Sequence, residues 1–262
     1  MQWKADDWMN QVLILGAGGH AKVVADLVEL AGYTVAGFLD DHPAGPDVFG
    51  KPVLGPIADC LHYPQHAFVI GIGSNRVRLE LAARYPLRWL TAVHPKAVVA
   101  RDAVLGPGTV VMANAVINPA AAVGAHVIIN TGAIVEHDNI IGDFTHLSPG
   151  CALGGTVTVG AGTHVGIGAC VRNNIRIAPD CVVGAGAVVV TDLKQPGTYV
   201  GCPAKLLKKI KERGARVGRS KYQYLVKNIG LFTLSSFATK ILSALLLPLY
   251  TTFFGGRAVW QH

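Results

Sequence analysis

A six-residue beat governs the chain from Ala97 to Asp192. Every sixth residue, from Val99 through Leu105, Val111, Ile117, Val123, Ile129, Val135, Ile141, Leu147, Leu153, Val159, Val165, Val171, Ile177 and Val183 to Val189, is Val, Ile or Leu. About a quarter of positions in an ordinary protein carry such residues, so chance would give this run with a probability on the order of one in a billion. An α-helix cannot produce it, because 3.6 residues per turn carries each sixth residue to a different side. A short strand followed by a turn can: about six residues at roughly 3.3 Å each make one flat side of a prism. Three sides close a coil of about 18 residues, with the aliphatic residue pointing inward and stacking on its equivalents one coil away. The residue two places earlier is small at Ala97, Ala103, Ala115, Ala121, Ala133, Cys151, Ala169, Cys181 and Ala187, as a crowded interior requires. Gly106, Gly124, Gly142, Gly154, Gly160, Gly166 and Gly184 directly follow inward aliphatics, where a tight corner is expected to call for positive φ.

The net charge of +7 over 262 residues divides unevenly. Residues 1–193 hold 11 Lys/Arg against 15 Asp/Glu, and residues 194–262 hold 12 against 1. The body is mildly acidic, which argues against a nucleic-acid groove on it. Five cysteines, an odd number with no Cys-x-x-Cys pair, read as reduced packing residues and predict no metal site. The opening residues carry no apolar run of the kind that directs export, so a cytoplasmic protein is expected.

Before the beat stands a small α/β pattern. Val12 to Leu15 leads into Gly16-Ala17-Gly18-Gly19-His20 and an amphipathic stretch with Val23, Val24, Leu27, Val28 and Leu30. A second apolar run, Val35 to Leu39, ends at Asp40-Asp41, and a third, Phe68 to Ile72, ends at Gly73-Ser74-Asn75-Arg76. Gly16, Gly18 and Ala21 fit a dinucleotide fingerprint, with Asp40 near the place of its ribose-binding acid. Only about 85 residues precede the beat, enough for one mononucleotide-binding half. Helix-start N–H groups that hold phosphate, and a carboxylate that accepts from a sugar or base, are the chemistry this unit predicts.

Among ten histidines, His137 and His146 stand apart, because they share Glu136-His137-Asp138 through Asp143-Phe144-Thr145-His146 with three carboxylates in an otherwise small and apolar repeat. An imidazole that is neutral near pH 7 can take a proton from an attacking group as a general base; Asp138, with Glu136 second, is placed to orient the His137 ring. Negative charge developing in a reaction at this cluster would need donors, which His146 or backbone N–H groups near Gly154-Gly155 can supply.

In order along residues 12–208, GAGGH, FLDD, IGSN, NTGAIVEH, FTHLSPG and GCPAK resemble the hexapeptide-repeat sugar acetyltransferases of the sialic-acid O-acetyltransferase and bacillosamine-pathway N-acetyltransferase type. The resemblance implies an α/β Rossmann-like unit (11–95), a left-handed parallel β-helix (96–205), a homotrimer with sites between subunits, and no metal. It implies acetyl-CoA as co-substrate and a nucleotide-linked amino sugar, of 4-amino-4,6-dideoxy type, as acceptor in bacterial surface glycan assembly. His137 is then the general base with Asp138 beside it; Gly18, Gly19, His20, Asp40, Asp41 and Gly73 meet the nucleotide sugar; His146, Gly155, Ile167 and Ala185 meet acetyl-CoA. Asp138 stands where the bacillosamine enzymes carry Glu, and Ala185 where Gly is found. Sugar O-acetylation, or a non-catalytic nucleotide-sensing trimeric scaffold, are the alternatives for the same residues.

Beyond Lys205 the beat stops. A basic linker (206–228) precedes a hydrophobic segment (229–254) interrupted by Lys240 near its middle. Its length could span a bilayer, although a mid-depth lysine costs about 2.5–3.5 kcal/mol. SKYQYLVKNIGLFTLSSFATKILSALLLPLYT resembles the start of polysaccharide flippases. The expectation is contact with the inner face of a membrane through this tail.

Overall fold

A computed structural model describes residues 10–207. From residue 208 on, the basic linker and the hydrophobic segment lie outside the described residues. Among the described residues no helix is long and apolar enough to cross a membrane.

The amino-terminal unit is a five-stranded sheet with two helices. In chain order these are β1 (Gln11–Leu15), α1 (Gly19–Leu30), β2 (Thr34–Leu39), β3 (Asp47–Val48), β4 (Lys51–Gly55), β5 (Ala67–Ile70) and α2 (Asn75–Arg84). The sheet order is β3-β4-β2-β1-β5, and β1 pairs parallel with both β2 and β5. Fully buried Val12 to Leu15 form its centre, as the apolar run requires. α1 turns Ala21, Val24, Ala25, Leu27 and Val28 inward and leaves Val23 and Leu30 exposed.

From Ala92 the chain winds into a prism of two-residue strands. The first face stacks Ala92–Val93, Val110–Val111, Ile128–Ile129, His146–Leu147, His164–Val165 and Cys181–Val183, then Gly197–Val200 and Lys205–Leu206. The second runs from Val98–Val99 to Val188–Val189 and the third from Val104–Leu105 to Arg176–Ile177. Pairing is parallel at a register of one coil from Ala92 to Val189, for example Ile134 to Ala152 and Val135 to Leu153, whereas Lys205–Leu206 runs antiparallel to Gly197–Val200. The inward aliphatics and the small residues two places before them form one core, with Ala115, Ala133, Cys151, Ala169, Cys181 and Ala187 fully buried.

The corners differ from the expectation in their reason for glycine. None of Gly106, Gly124, Gly142, Gly154, Gly160, Gly166 or Gly184 has positive φ. Positive φ falls two places later instead, at Gly108, Asn114, Ala120, His126, Gly132, Asp138, Phe144, Gly150, Thr156, Gly162, Gly168, Asn174, Asp180 and Gly186. The glycines after the inward aliphatics are required by close approach. A Cβ on Gly106 would fall 2.5 Å from the backbone carbon of Gly124, and one on Gly142 would fall 2.5 Å from Ala161 N. Coils stacked at strand spacing leave no room there for a side chain.

The amino-terminal unit sits on the first face. Buried residues of β1 and α1 share one core with Ala92, Val110, Met112 and Ile128. That cover continues over His146, is partial over His164 and ends before Val182, which is exposed. The outward-facing histidines of the first face therefore lie at the junction of the two units.

Candidate active site

The strand ends of β1, β2 and β5 open onto one sheet edge, as in other parallel sheets that bind ligands at this place. Gly16, with φ +101, makes the turn after β1. Gly18, Gly19 and Gly73 have no positive φ, and a Cβ on any of them would meet nothing within 4 Å. Neither backbone conformation nor internal packing demands glycine at these three places. Gly18 and Gly19 stand at the start of α1, whose cap has no side-chain hydrogen bond, so no capping side chain competes with an anion for its first N–H groups.

Asp40 first serves its own chain. Its Oδ2 accepts from Ala17 N at 2.6 Å and its Oδ1 from His42 N at 2.7 Å, which ties the glycine-rich turn to the end of β2. Asp41 Oδ1 accepts from Ile57 N at 3.0 Å. Both aspartates line a cleft of about 340 Å³ with Pro43, Val53 and Pro56.

At the junction His20, His146 and His164 form a row. His146 and His164 stack with ring centres 4.7 Å apart, and His20 lies tilted 6.1 Å from His146 on the other side. His146 Nδ1 is 3.3 Å from Gly73 O, and Nε2 is 3.0 Å from Asn130 Nδ2. Burial, then the neighbouring His164, Arg78 and His20, push the His146 pKa down to about 3. Burial and Arg78 bring His20 to about 4, and its Nε2 is buried with no protein partner. Beside the row opens a cleft of about 410 Å³ lined by Gly73, Ser74, Asn75, His164 and Asp180.

His137, Asp138 and Gly155 meet elsewhere, at the corner between the second and third faces. His137 Nδ1 lies 2.7 Å from Asp138 Oδ2, so the carboxylate, although one methylene shorter than glutamate, reaches the ring. Asp138 does this from φ +60, a conformation aspartate tolerates better than most residues. The hydrogen bond from the ring to Asp138 raises the His137 pKa. Gly155 stands one coil above His137, and a Cβ there would fall 2.5 Å from Nε2 and 2.6 Å from Cε1. The neighbours Gly154 N and Thr156 N donate to Val171 O and His137 O, whereas Gly155 N–H finds no backbone acceptor among the described residues. Exposed Ile134 and Ile140 flank this corner on the two adjoining faces.

Ile167, exposed, and Ala185 occupy a third place, one coil apart at the corner between the first and second faces; Gly186 N donates to Ile167 O at 2.8 Å. One chain thus brings His20, Gly73 and His146 together, and His137, Asp138 and Gly155 together, on different sides of the prism. The corner bearing His137 lies opposite the first face, which carries His146. Three participants at the junction escaped the sequence reading: Arg78, Asn75 and His164. Asn75 Nδ2 donates to Gly162 O and Thr163 O, and His164 Nε2 lies 2.7 Å from Ser148 Oγ. Only the Ser-Asn-x-x-Arg run at a helix start marked the first two. Among the described residues no cluster of three or more His, Cys, Asp or Glu side chains could hold a metal ion.

Residues 11–85 match the PglD N-terminal domain. Over 109 residues the chain is 41% identical to UDP-N-acetylbacillosamine N-acetyltransferase of Bacillus subtilis (strain 168), a match covering 38% of this chain. The chain spans about half, 50%, of the length of that curated relative. The acetyltransferase domain of PglB from Neisseria gonorrhoeae FA1090, in complex with acetyl coenzyme A, superposes with a TM-score of 0.72 at 37% identity, covering 76% of this chain and 100% of that one. PerB from Caulobacter crescentus, in complex with CoA and GDP-perosamine, superposes with a TM-score of 0.71 at 40% identity, covering 75% of this chain and 97% of that one. With a Rossmann-like unit followed by a left-handed parallel β-helix, the chain belongs to the family of bacillosamine-pathway-type sugar N-acetyltransferases that these proteins represent.

Proposed function

We propose that the chain is an acetyl-CoA-dependent N-acetyltransferase whose acceptor is a nucleotide-linked amino sugar of the 4-amino-4,6-dideoxy type, acting in bacterial surface glycan biosynthesis at the cytoplasmic side. The observation that carries this reading is the His137 ring, hydrogen-bonded to Asp138 and lying over Gly155. Nδ1–H donates to the carboxylate, which leaves Nε2 with a free lone pair to accept a proton. The Gly155 N–H, which has no backbone acceptor among the described residues, is the proposed donor for a developing oxyanion. The His146 ring is less suited to that task, because both of its nitrogens already have partners in the chain.

In the proposed reaction the sugar amine attacks the thioester carbonyl and a C–N bond forms. His137 Nε2 takes the amine proton, and Gly155 N–H holds the tetrahedral oxyanion. The C–S bond then breaks and coenzyme A leaves, its thiolate receiving the proton. The nucleotide sugar is expected at Gly18, Gly19, His20, Asp40, Asp41 and Gly73, where three glycines without internal cause leave room for a ligand. Acetyl-CoA is expected along His146, Gly155, Ile167 and Ala185. Because His137, Asp138 and Gly155 lie on a different side of the prism from His20, Gly73 and His146, the reading requires a neighbouring copy, and a homotrimer packed through the exposed Ile134 and Ile140 is proposed to supply it. What PglB and PerB are recorded as binding, acetyl coenzyme A in one and CoA with GDP-perosamine in the other, supports the two ligand classes.

Thiol release from acetyl-CoA, measured with a panel of UDP- and GDP-linked amino sugars, tests the proposal. Release that depends on an amino sugar and yields its N-acetyl product is expected. Thiol release unaffected by every acceptor, or no release with any, contradicts it.

A further inference from the structure

Arg78 is the most deeply enclosed charge in the described structure, 2% exposed, and it has no carboxylate partner. Burying a guanidinium is costly unless every N–H is satisfied. Here every N–H is. Nε donates to His126 O at 3.1 Å; Nη1 donates to Gly73 O at 2.9 Å and Ile72 O at 3.4 Å; Nη2 donates to Phe144 O at 2.8 Å, Asn75 Oδ1 at 3.0 Å and Thr145 O at 3.2 Å. Half of these acceptors are on the Gly73 loop and its helix, and half are on two successive corners of the prism. A single side chain therefore joins the loop after β5 to the coils beneath it.

The Gly73 carbonyl is shared. It accepts from Arg78 and lies against His146 Nδ1. On the other side of the ring, Thr131 N donates to Asn130 Oδ1 at 2.8 Å, which turns the Asn130 amide nitrogen toward His146 Nε2. An amide N–H needs an acceptor, so Nε2 is bare and the proton sits on Nδ1, directed at Gly73 O. Protonating Nε2 would set two donors against each other. The charged or titratable groups facing the ring are Arg78 from α2, His20 from α1 and His164 from the next coil, and none offers a negative charge to an imidazolium.

We propose that Arg78 is a positioning residue for the transfer reaction, which fixes His146 as a neutral imidazole protonated at Nδ1 by holding the Gly73 carbonyl between them. It touches neither substrate; it acts through the ring that acetyl-CoA is expected to meet. The lock also fixes the Gly73 loop, so the nucleotide-sugar side and the acyl side keep one geometry. The link to turnover rests on the acetyltransferase reading, whereas the state of the ring does not.

Nitrogen-15 spectra of the histidine rings in the full chain, for wild type, Arg78→Lys and Arg78→Met, test this without any substrate. In wild type His146 should show a protonated Nδ1 and a bare Nε2 at every pH from about 8 to about 5. In both variants the two nitrogens should average, because the Gly73 carbonyl is no longer held against Nδ1. Acetyl transfer should then fall about tenfold or more in kcat, with KM for acetyl-CoA changed less than about threefold. An unchanged His146 signature in a folded Arg78→Met or Arg78→Lys chain overturns the proposal. So does failure of Arg78→Lys to fold, since it would give Arg78 a role in the fold alone. If the ring signals change as expected and no acetyl transfer is found with any acceptor, the functional reading fails and the lock stands.

Discussion

The Asp138 carboxylate accepts from His137 Nδ1 at 2.7 Å, from a left-handed backbone position at the corner of two β-faces. That bond fixes the ring with Nε2 over Gly155 and favours the imidazolium. Because the raised pKa belongs to a base that works only when neutral, activity should rise with pH through an inflection above the ordinary histidine value of about 6.5. Asp138→Asn should move that inflection down toward 6.5 and lower the plateau about tenfold or more, as the ring loses its orientation. The pH profile of kcat/KM for the two proteins checks this; an inflection that stays in place in Asp138→Asn removes the carboxylate from the role.

Gly155→Ala is a sharper probe of the same corner. The added methyl would fall within 2.6 Å of two ring atoms of His137, a half-exposed side chain that is free to swing outward. Stability should therefore change little, within about 1 kcal/mol, because the displaced ring is on the surface. Turnover should fall by about two orders of magnitude, since the ring and the donor N–H are moved together. A thermal melt beside a thiol-release assay separates the two effects.

Much of this architecture was legible in the residues. The six-residue run from Val99 to Val189 dictates an inward stack, and the stack is present, because a buried aliphatic at each repeat has only one face to point toward. The corner glycines were legible in position and not in cause. Their neighbours are backbone atoms of the following coil, 18 or 19 residues away for Gly106, a contact no local pattern reveals. Arg78 was opaque for the same reason: it bonds carbonyls 48 to 67 residues distant, and carbonyls have no residue identity to read. His164 is recognisable only once His146 is seen one coil below it.

The buried histidines make stability acid-sensitive. His20 and His126 are brought to about 4 and His146 to about 3, each chiefly by burial. In the unfolded chain they titrate near 6.5. Between about pH 6.5 and 4 the unfolded chain binds more protons, so stability is fully present above 6.5 and is lost as the pH falls through that window. Each histidine contributes a slope of up to about 1.4 kcal/mol per pH unit. Denaturant midpoints measured from pH 7.5 to 4.5 should fall steadily, and His126→Phe should flatten the slope by about one proton's worth. A flat profile would contradict the neutral buried rings.

The central claim is that His137 of one copy serves the nucleotide sugar held by another. Co-expression of two inactive chains tests it most directly. His137→Ala removes the base, and Gly18→Glu places a carboxylate where an added side chain meets nothing of its own chain within 4 Å but faces the expected diphosphate. Each homogeneous protein should fold and lose about two orders of magnitude or more in turnover. Randomly mixed assemblies should regain about a quarter of wild-type activity, because one seam in about four joins an intact base to an intact nucleotide site. A mixture no more active than its two parents would show that each chain completes its own site, and would contradict the account.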